Sequence, residues 1–78
     1  MENYKLYSIT WEDACGGDGW VTKEDLDSYT PILHQSVGYL VKETDTFMTI
    51  CMSHDVKGNE FGAWLLIPKS YIKKKKKL

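Results

Sequence analysis

The chain predicts a mainly β fold made of short strands, and three observations carry that expectation. Residues 37–53 contain two runs with a period of two. Val37, Tyr39 and Val41 share one face of the first run; Met48, Ile50 and Met52 share one face of the second. Successive side chains of a strand point to opposite faces, so apolar residues at every second position mark a strand with one face in a core. Second, the polar break Thr44-Asp45 joins the runs into a hairpin, with Asp45 suited to the left-handed backbone of a tight turn. Third, glycines and prolines punctuate the rest of the chain at short intervals, which suits turns between strands. A lone hairpin is marginal in water, so further strands must cover this one.

In chain order, Tyr4-Lys5-Leu6-Tyr7-Ser8-Ile9-Thr10-Trp11 is the first strand, with Tyr7, Ile9 and Trp11 on one face. It ends where Gly16, Gly17 and Gly19 fall within four residues. Thr22 followed three residues later by Asp25 predicts a capped start to a short helix, with acids favourably placed in its first turn. Leu26 and Tyr29 would share a face of that helix, and Pro31 ends it. After the hairpin, residues 53–62 form a polar loop turning at Lys57-Gly58-Asn59. Ala63-Trp64-Leu65-Leu66-Ile67 is apolar on both faces and is expected to be a central or covered strand, with Trp64 in the core. Pro68-Lys69-Ser70-Tyr71 reads as a tight turn into a last segment, residues 72–78, which is either a frayed edge strand or disordered because its five consecutive lysines repel one another. Five short strands, one helical turn in the first long loop and a tight turn before the last strand describe an SH3-like barrel; an OB-fold and a four-stranded sheet with one helix are the competing arrangements. The barrel would occupy residues 1–73 as a single domain, with 74–78 a lysine-rich end that contributes little to it.

Seventy-eight residues hold one small core, and three Trp, five Tyr and two Phe supply the bulk to fill it. No basic, apolar leader is visible and no apolar run nears the ~18 residues of a membrane span, so a cytoplasmic protein without membrane contact is expected. Cys15 and Cys51 suit free thiols in a reducing compartment. The net charge of −1 conceals a division: residues 1–68 carry four lysines against eleven acids, a net of −7, and residues 69–78 carry six lysines and no acid. With no arginine and an acidic body, the chain is poorly suited to duplex DNA.

Residues 13–19 lack the alternating oxygen ligands of a calcium loop and the Lys-Ser/Thr of a phosphate cradle, and read as a turn whose glycines admit a partner backbone. Cys51-x-x-His54 is one tight pair where a structural zinc site shows two, so neither metal nor cofactor is expected. No local arrangement brings His34 or His54 to a cysteine nucleophile, and adjacent Glu12 and Asp13 point to opposite faces of a strand. Binding is therefore expected rather than catalysis. The candidate surface is Glu12, Asp13, Asp18, Trp20, Glu24, Asp25 and Asp27, carboxylates crowded around a tryptophan at a loop end, which suits a protein with a basic surface.

The segments Ile9-Thr10-Trp11-Glu12-Asp13-Ala14, Gly19-Trp20-Val21, Ser36-Val37-Gly38-Tyr39-Leu40-Val41 and Leu66-Ile67-Pro68-Lys69-Ser70-Tyr71-Ile72 together resemble small bacteriophage and prophage proteins of unknown function. The resemblance spans most of the chain but rests on strand and turn motifs, so it assigns no catalytic residue. It implies a phage origin and a role in host takeover or in blocking a host defence system. The expectation is a non-enzymatic phage accessory protein, acting in the host bacterial cytoplasm, that binds and modulates or inhibits a host factor. Two alternatives stay open: an oligomeric sponge that holds a signalling nucleotide between subunits, and an Sm-like nucleic-acid module using the lysine run.

Overall fold

The computed structural model describes residues 3–14 and 16–78; Cys15, one of the two cysteines, lies outside them. Its elements are β1 (Leu6–Asp13), α1 (Lys23–Ser28), β2 (Ile32–Glu43), β3 (Phe47–His54), β4 (Phe61–Pro68), a 3-10 turn (Lys69–Tyr71) and β5 (Ile72–Lys77). The strands form one antiparallel sheet in the order β4-β3-β2-β1-β5. Mainly β, with one short helix in the first long loop, matches the sequence expectation. A closed barrel does not: among the described residues no ladder joins β4 to β5, and the sheet stays open. Across the open seam Glu43 meets Lys75 at 3.0 Å, and the bond from Lys69 N–H to Thr46 O at 2.8 Å extends the β3–β4 ladder by one pair.

The core lies on one face of the sheet. Ile9, Met48, Ile50 and Ile67 are buried, with Tyr7, Trp11, Leu40, Leu65 and Ile72 packed around them. Tyr7, Ile9 and Trp11 share the face expected of them. β2 does not follow the expectation. Its core-facing positions lie opposite those three residues: Gly38 pairs with Tyr7, Ser36 with Ile9 and His34 with Trp11. Val37 is 54% exposed on the other side. The alternation of Val37, Tyr39 and Val41 therefore marks the outer face, because the inner positions are small or polar and β1 supplies the bulk that fills the space above them. Trp11 Nε1 donates to Ser36 Oγ at 3.1 Å, which satisfies both groups where they meet. At Gly38 an added Cβ would lie 2.8 Å from the Cys51 carbonyl oxygen and 3.2 Å from Ile50 Cβ, so only glycine lets β2 approach β3 this closely.

The β2–β3 register shifts between Leu40 and Lys42, leaving Val41 as the extra residue of a bulge. The hairpin turn is held by Thr44, whose hydroxyl accepts from the Thr46 and Phe47 amides at 3.2 Å. Asp45 is not left-handed as expected; among the described non-glycine residues only Ala63 has a positive φ, 52°. The β3–β4 loop turns at Gly58 (φ 75°) and is tied by the Asp55 carboxylate, which accepts from the amides of Asn59 (2.7 Å) and Glu60 (3.0 Å). Those amides, Glu60's first, hold the Asp55 carboxyl below its usual range.

β4 is an edge strand, not a central one, and Trp64 is 64% exposed rather than in the core. Both corrections share a cause: one face of β4 feeds Leu65 and Ile67 to the core, and the other has no layer above it. Met52 is likewise exposed, although Met48 and Ile50 are buried as expected. Cys51 sits on the outer side between its ladder partners Tyr39 and Trp64, yet is buried; desolvation pushes its thiol pKa up, as for a small apolar residue. The lysine run resolves to the strand alternative: Lys74, Lys75, Lys76 and Lys77 pair with Thr10, Ile9, Ser8 and Tyr7, and Lys73 is the bulged residue. No described helix is long and apolar enough to cross a membrane.

Two outcomes follow from this arrangement. Ile50→Asp places a charge against Ile9, Met48 and Ile67 and should cost at least about 4 kcal/mol, enough to unfold a chain whose whole stability is about 4–12 kcal/mol. Val41→Asp, on the bulge, should stay folded and lose no more than about 1 kcal/mol; urea unfolding of the two variants separates them, and equal losses would mean that Val41 faces the core. Deleting residues 74–78 removes most of β5, one of β1's two partner strands, and should lower Tm by at least about 8 °C, since several ladder hydrogen bonds are lost at about 0.5–1.5 kcal/mol each. An unchanged Tm would show that the lysine strand is not part of the stable sheet.

Candidate functional site

The β1–β2 ladder runs on to Asp13↔Ile32, whereas β5 leaves β1 at Trp11↔Ile72, so the tip of the β1–β2 ribbon reaches past the rest of the sheet. Beyond it, every described residue from 16 to 33 is exposed. The result is a projecting arm. The molecule measures 54 × 22 × 20 Å, with a radius of gyration of 16.0 Å where about 11.5 Å is typical of a compact chain this long. Its accessible surface is 6152 Å², against about 4,900 Å² for a compact protein of 9.0 kDa.

Local chemistry orders the arm without a core. Thr22 Oγ1 accepts from the Asp25 amide at 3.1 Å and Asp25 Oδ2 accepts from the Thr22 amide at 3.3 Å, the capping box expected from the sequence. Lys23 and Asp27 form an i,i+4 ion pair, and Ser28 Oγ donates to the Asp25 carbonyl at 2.7 Å. A six-residue helix with no buried residue gains nothing from packing, so these contacts are what hold it.

The arm's apolar side chains gather on one concave surface. Val21, Leu26, Tyr29 and Ile32, with Gly16, Gly17, Gly19 and Thr30, line an open cleft of about 540 Å³. Trp20 stands beside it at 102% exposure, as free as in an unfolded chain. The carboxylates divide by partner. Glu12 meets Lys73 at 3.5 Å and Asp13 meets His34 at 3.5 Å, with the Trp11 ring on the same His34 at 4.9 Å. Asp25 and Asp27 are used within α1, while Asp18 and Glu24 make no ion pair among the described residues. The seven residues expected to bind thus lie on one arm and its root, but only Asp18, Trp20 and Glu24 offer unengaged groups. The sequence reading did not single out Val21, Leu26, Tyr29 and Ile32, which line this cleft. Their helical and strand spacing reads as core packing, and only the absence of any layer over them shows otherwise.

A second surface lies at the seam. Met48, Lys69, Ile72, Lys73, Lys74 and Lys75 line a cleft of about 280 Å³. Glu43 reaches across it to Lys69 at 2.8 Å and Lys75 at 3.0 Å. Those two ammonium groups, Lys69's first, hold the Glu43 carboxyl below its usual range. The lysines also divide between faces: Lys75 and Lys77 lie opposite Ile9 and Tyr7, and Lys74 and Lys76 opposite Thr10 and Ser8. No group of three or more His, Cys, Asp or Glu comes together among the described residues.

A carboxyl lowered in the folded state contributes stability above its unfolded pKa and loses it as pH falls through the folded value. Below the ordinary carboxyl value of 4.5, the parent should therefore lose the seam bridge as Glu43 protonates. Glu43→Gln should be less stable than the parent at neutral pH and converge with it in acid, as followed by thermal melts across pH. A constant gap between the two would show that the bridge carries no charge-dependent stability. No family model, no curated protein and no solved structure matches the chain.

Proposed function

We propose that this chain is a binding protein that acts through its arm, engaging a protein surface with an apolar centre and a basic rim. One observation carries the reading: Trp20, Val21, Leu26, Tyr29 and Ile32 lie exposed together on a projecting, locally ordered arm whose unengaged charges, Asp18 and Glu24, are both negative. A surface patch of large apolar residues, with a cleft and a charged fringe, is the usual anatomy of a binding site. The aromatics supply burial, and the carboxylates steer association with a basic partner. The resemblance to small phage and prophage proteins makes the partner a bacterial host factor, such as a defence component, met in the cytoplasm. The strand order, with a 3-10 turn between β4 and β5, supports an SH3-like sheet left unclosed at one seam.

The seam cleft favours a second reading, a nucleotide held by lysines over Met48 and Ile72. It is the weaker one, because Lys69, Lys73 and Lys75 already hold carboxylates. Splitting the lysines between two faces also weakens the nucleic-acid alternative, since a phosphate track needs them on one.

The test is capture from bacterial lysate with the parent, Trp20→Ala/Leu26→Ala and Asp18→Lys/Glu24→Lys. Any protein retained should be lost with the first variant. Once it is purified, its on-rate to the second variant at low salt should fall by about tenfold, with a flatter salt dependence. A partner retained equally by both variants, or an eluate that holds a bound nucleotide instead, would overturn the arm reading.

A further inference from the structure

The two free edges of the sheet are built differently. β5 presents Lys73 to Lys77, and lysines along an edge are how natural sheets keep another strand away. β4, at the opposite edge, reads Phe-Gly-Ala-Trp-Leu-Leu-Ile-Pro and carries no charge. Among the described residues no strand pairs with its outer side. Trp64 and Leu66, two residues apart and therefore on one face, are both exposed. An uncharged apolar strand with unpaired peptide groups is a template for another strand.

We propose that β4 pairs antiparallel with β4 of a second copy, joining the two five-stranded sheets into one across a two-fold axis. Residues 64–67 are the part able to pair. Ala63, with φ 52°, leaves strand geometry on one side, and Pro68 has no N–H to donate on the other. Residues directly opposite in an antiparallel pair must share a face, which places the axis at a residue and not between two. With the axis at Leu65, Trp64 lies opposite the second copy's Leu66, and Leu66 opposite the second copy's Trp64. The large exposed side chains of this edge then cover each other, and Leu65 meets Leu65 on the core side.

The charges that flank the strand choose the same direction. Glu60 precedes β4, and Lys69, which follows it, is held by Glu43. Antiparallel pairing sends the two copies' Glu60 carboxylates to opposite ends of the seam, whereas parallel pairing would set them side by side. The edge asymmetry also explains why assembly would stop at two. Joining β4 to a neighbour's β5 would leave new edges and grow a filament, and the lysines of β5 oppose it; β4 with β4 uses the same patch twice and closes. The pairing leaves the arm free, so it stands independently of the partner proposed for that arm.

Sedimentation equilibrium across the micromolar range tests this. The parent should show twice the 9.0 kDa chain mass, and Trp64→Lys/Leu66→Lys the single mass with unchanged circular dichroism. Amides of residues 64 and 66, which point away from β3, should lose hydrogen-exchange protection in the same variant, while those of Leu65 and Ile67 keep theirs. Leu66→Lys alone, at an exposed position opposite Thr49 of β3, gives the same reading if the double variant misfolds. A monomeric parent would overturn the proposal. So would a dimer that survives these changes or that is lost instead on Trp20→Ala/Leu26→Ala.

Discussion

The approach of β2 to β3 at Gly38 is the constraint on which the rest of the structure depends. The Cys51 carbonyl oxygen occupies the space that any side chain would need, at 2.8 Å from the position of a Cβ. A strand with glycine and serine on its inner face cannot fill a core by itself. The bulk comes instead from its neighbours: Tyr7 and Trp11 from β1, Leu40 next along β2, and Met48 and Ile50 from β3. That division of labour fixes which face is inside. It also turns Val37 and Trp64 outward, since the inner positions at their level already belong to other residues.

A core this small leaves much of the chain unabsorbed. Four buried aliphatic residues with their partly buried neighbours hold the sheet, and nothing remains to fold the arm back against it. The arm is instead built from contacts that work in water: a capping box, an i,i+4 ion pair and short side-chain bonds to the backbone. Such contacts set a local shape without burying surface. The aromatic and aliphatic residues of residues 20–33 therefore remain available, and their exposure reflects where the ribbon points.

The lysine run answers a different need. As the partner of β1 it supplies peptide groups to the ladder, and alternate lysines take opposite faces, so the repulsion expected of five in a row is spread over two surfaces and relieved by Glu12 and Glu43. The same residues keep the outer edge of β5 from accepting another strand, a protection that β4 lacks.

What the sequence alone determined is local. The period of two along residues 4–11 and, for Met48 and Ile50 though not Met52, along residues 46–53, the Thr22–Asp25 cap, the Gly58 turn, the Pro68 break and the five-strand count were legible, because each rests on the geometry of a few neighbouring residues. The acidic crowding that drew attention to Glu12, Asp13, Asp18, Trp20, Glu24, Asp25 and Asp27 was legible for the same reason. The tertiary structure alone decided which face of each strand is inside, which strand lies at an edge and which acids keep a free charge. Val37, Tyr39 and Val41 alternate as a core face does, yet Gly38 and Ser36 face inward, because occupancy of the core is settled by what β1 places opposite them. Leu26, Tyr29 and Ile32 have the spacing of packed residues and are exposed, because burial depends on a second layer and no local pattern says whether one exists.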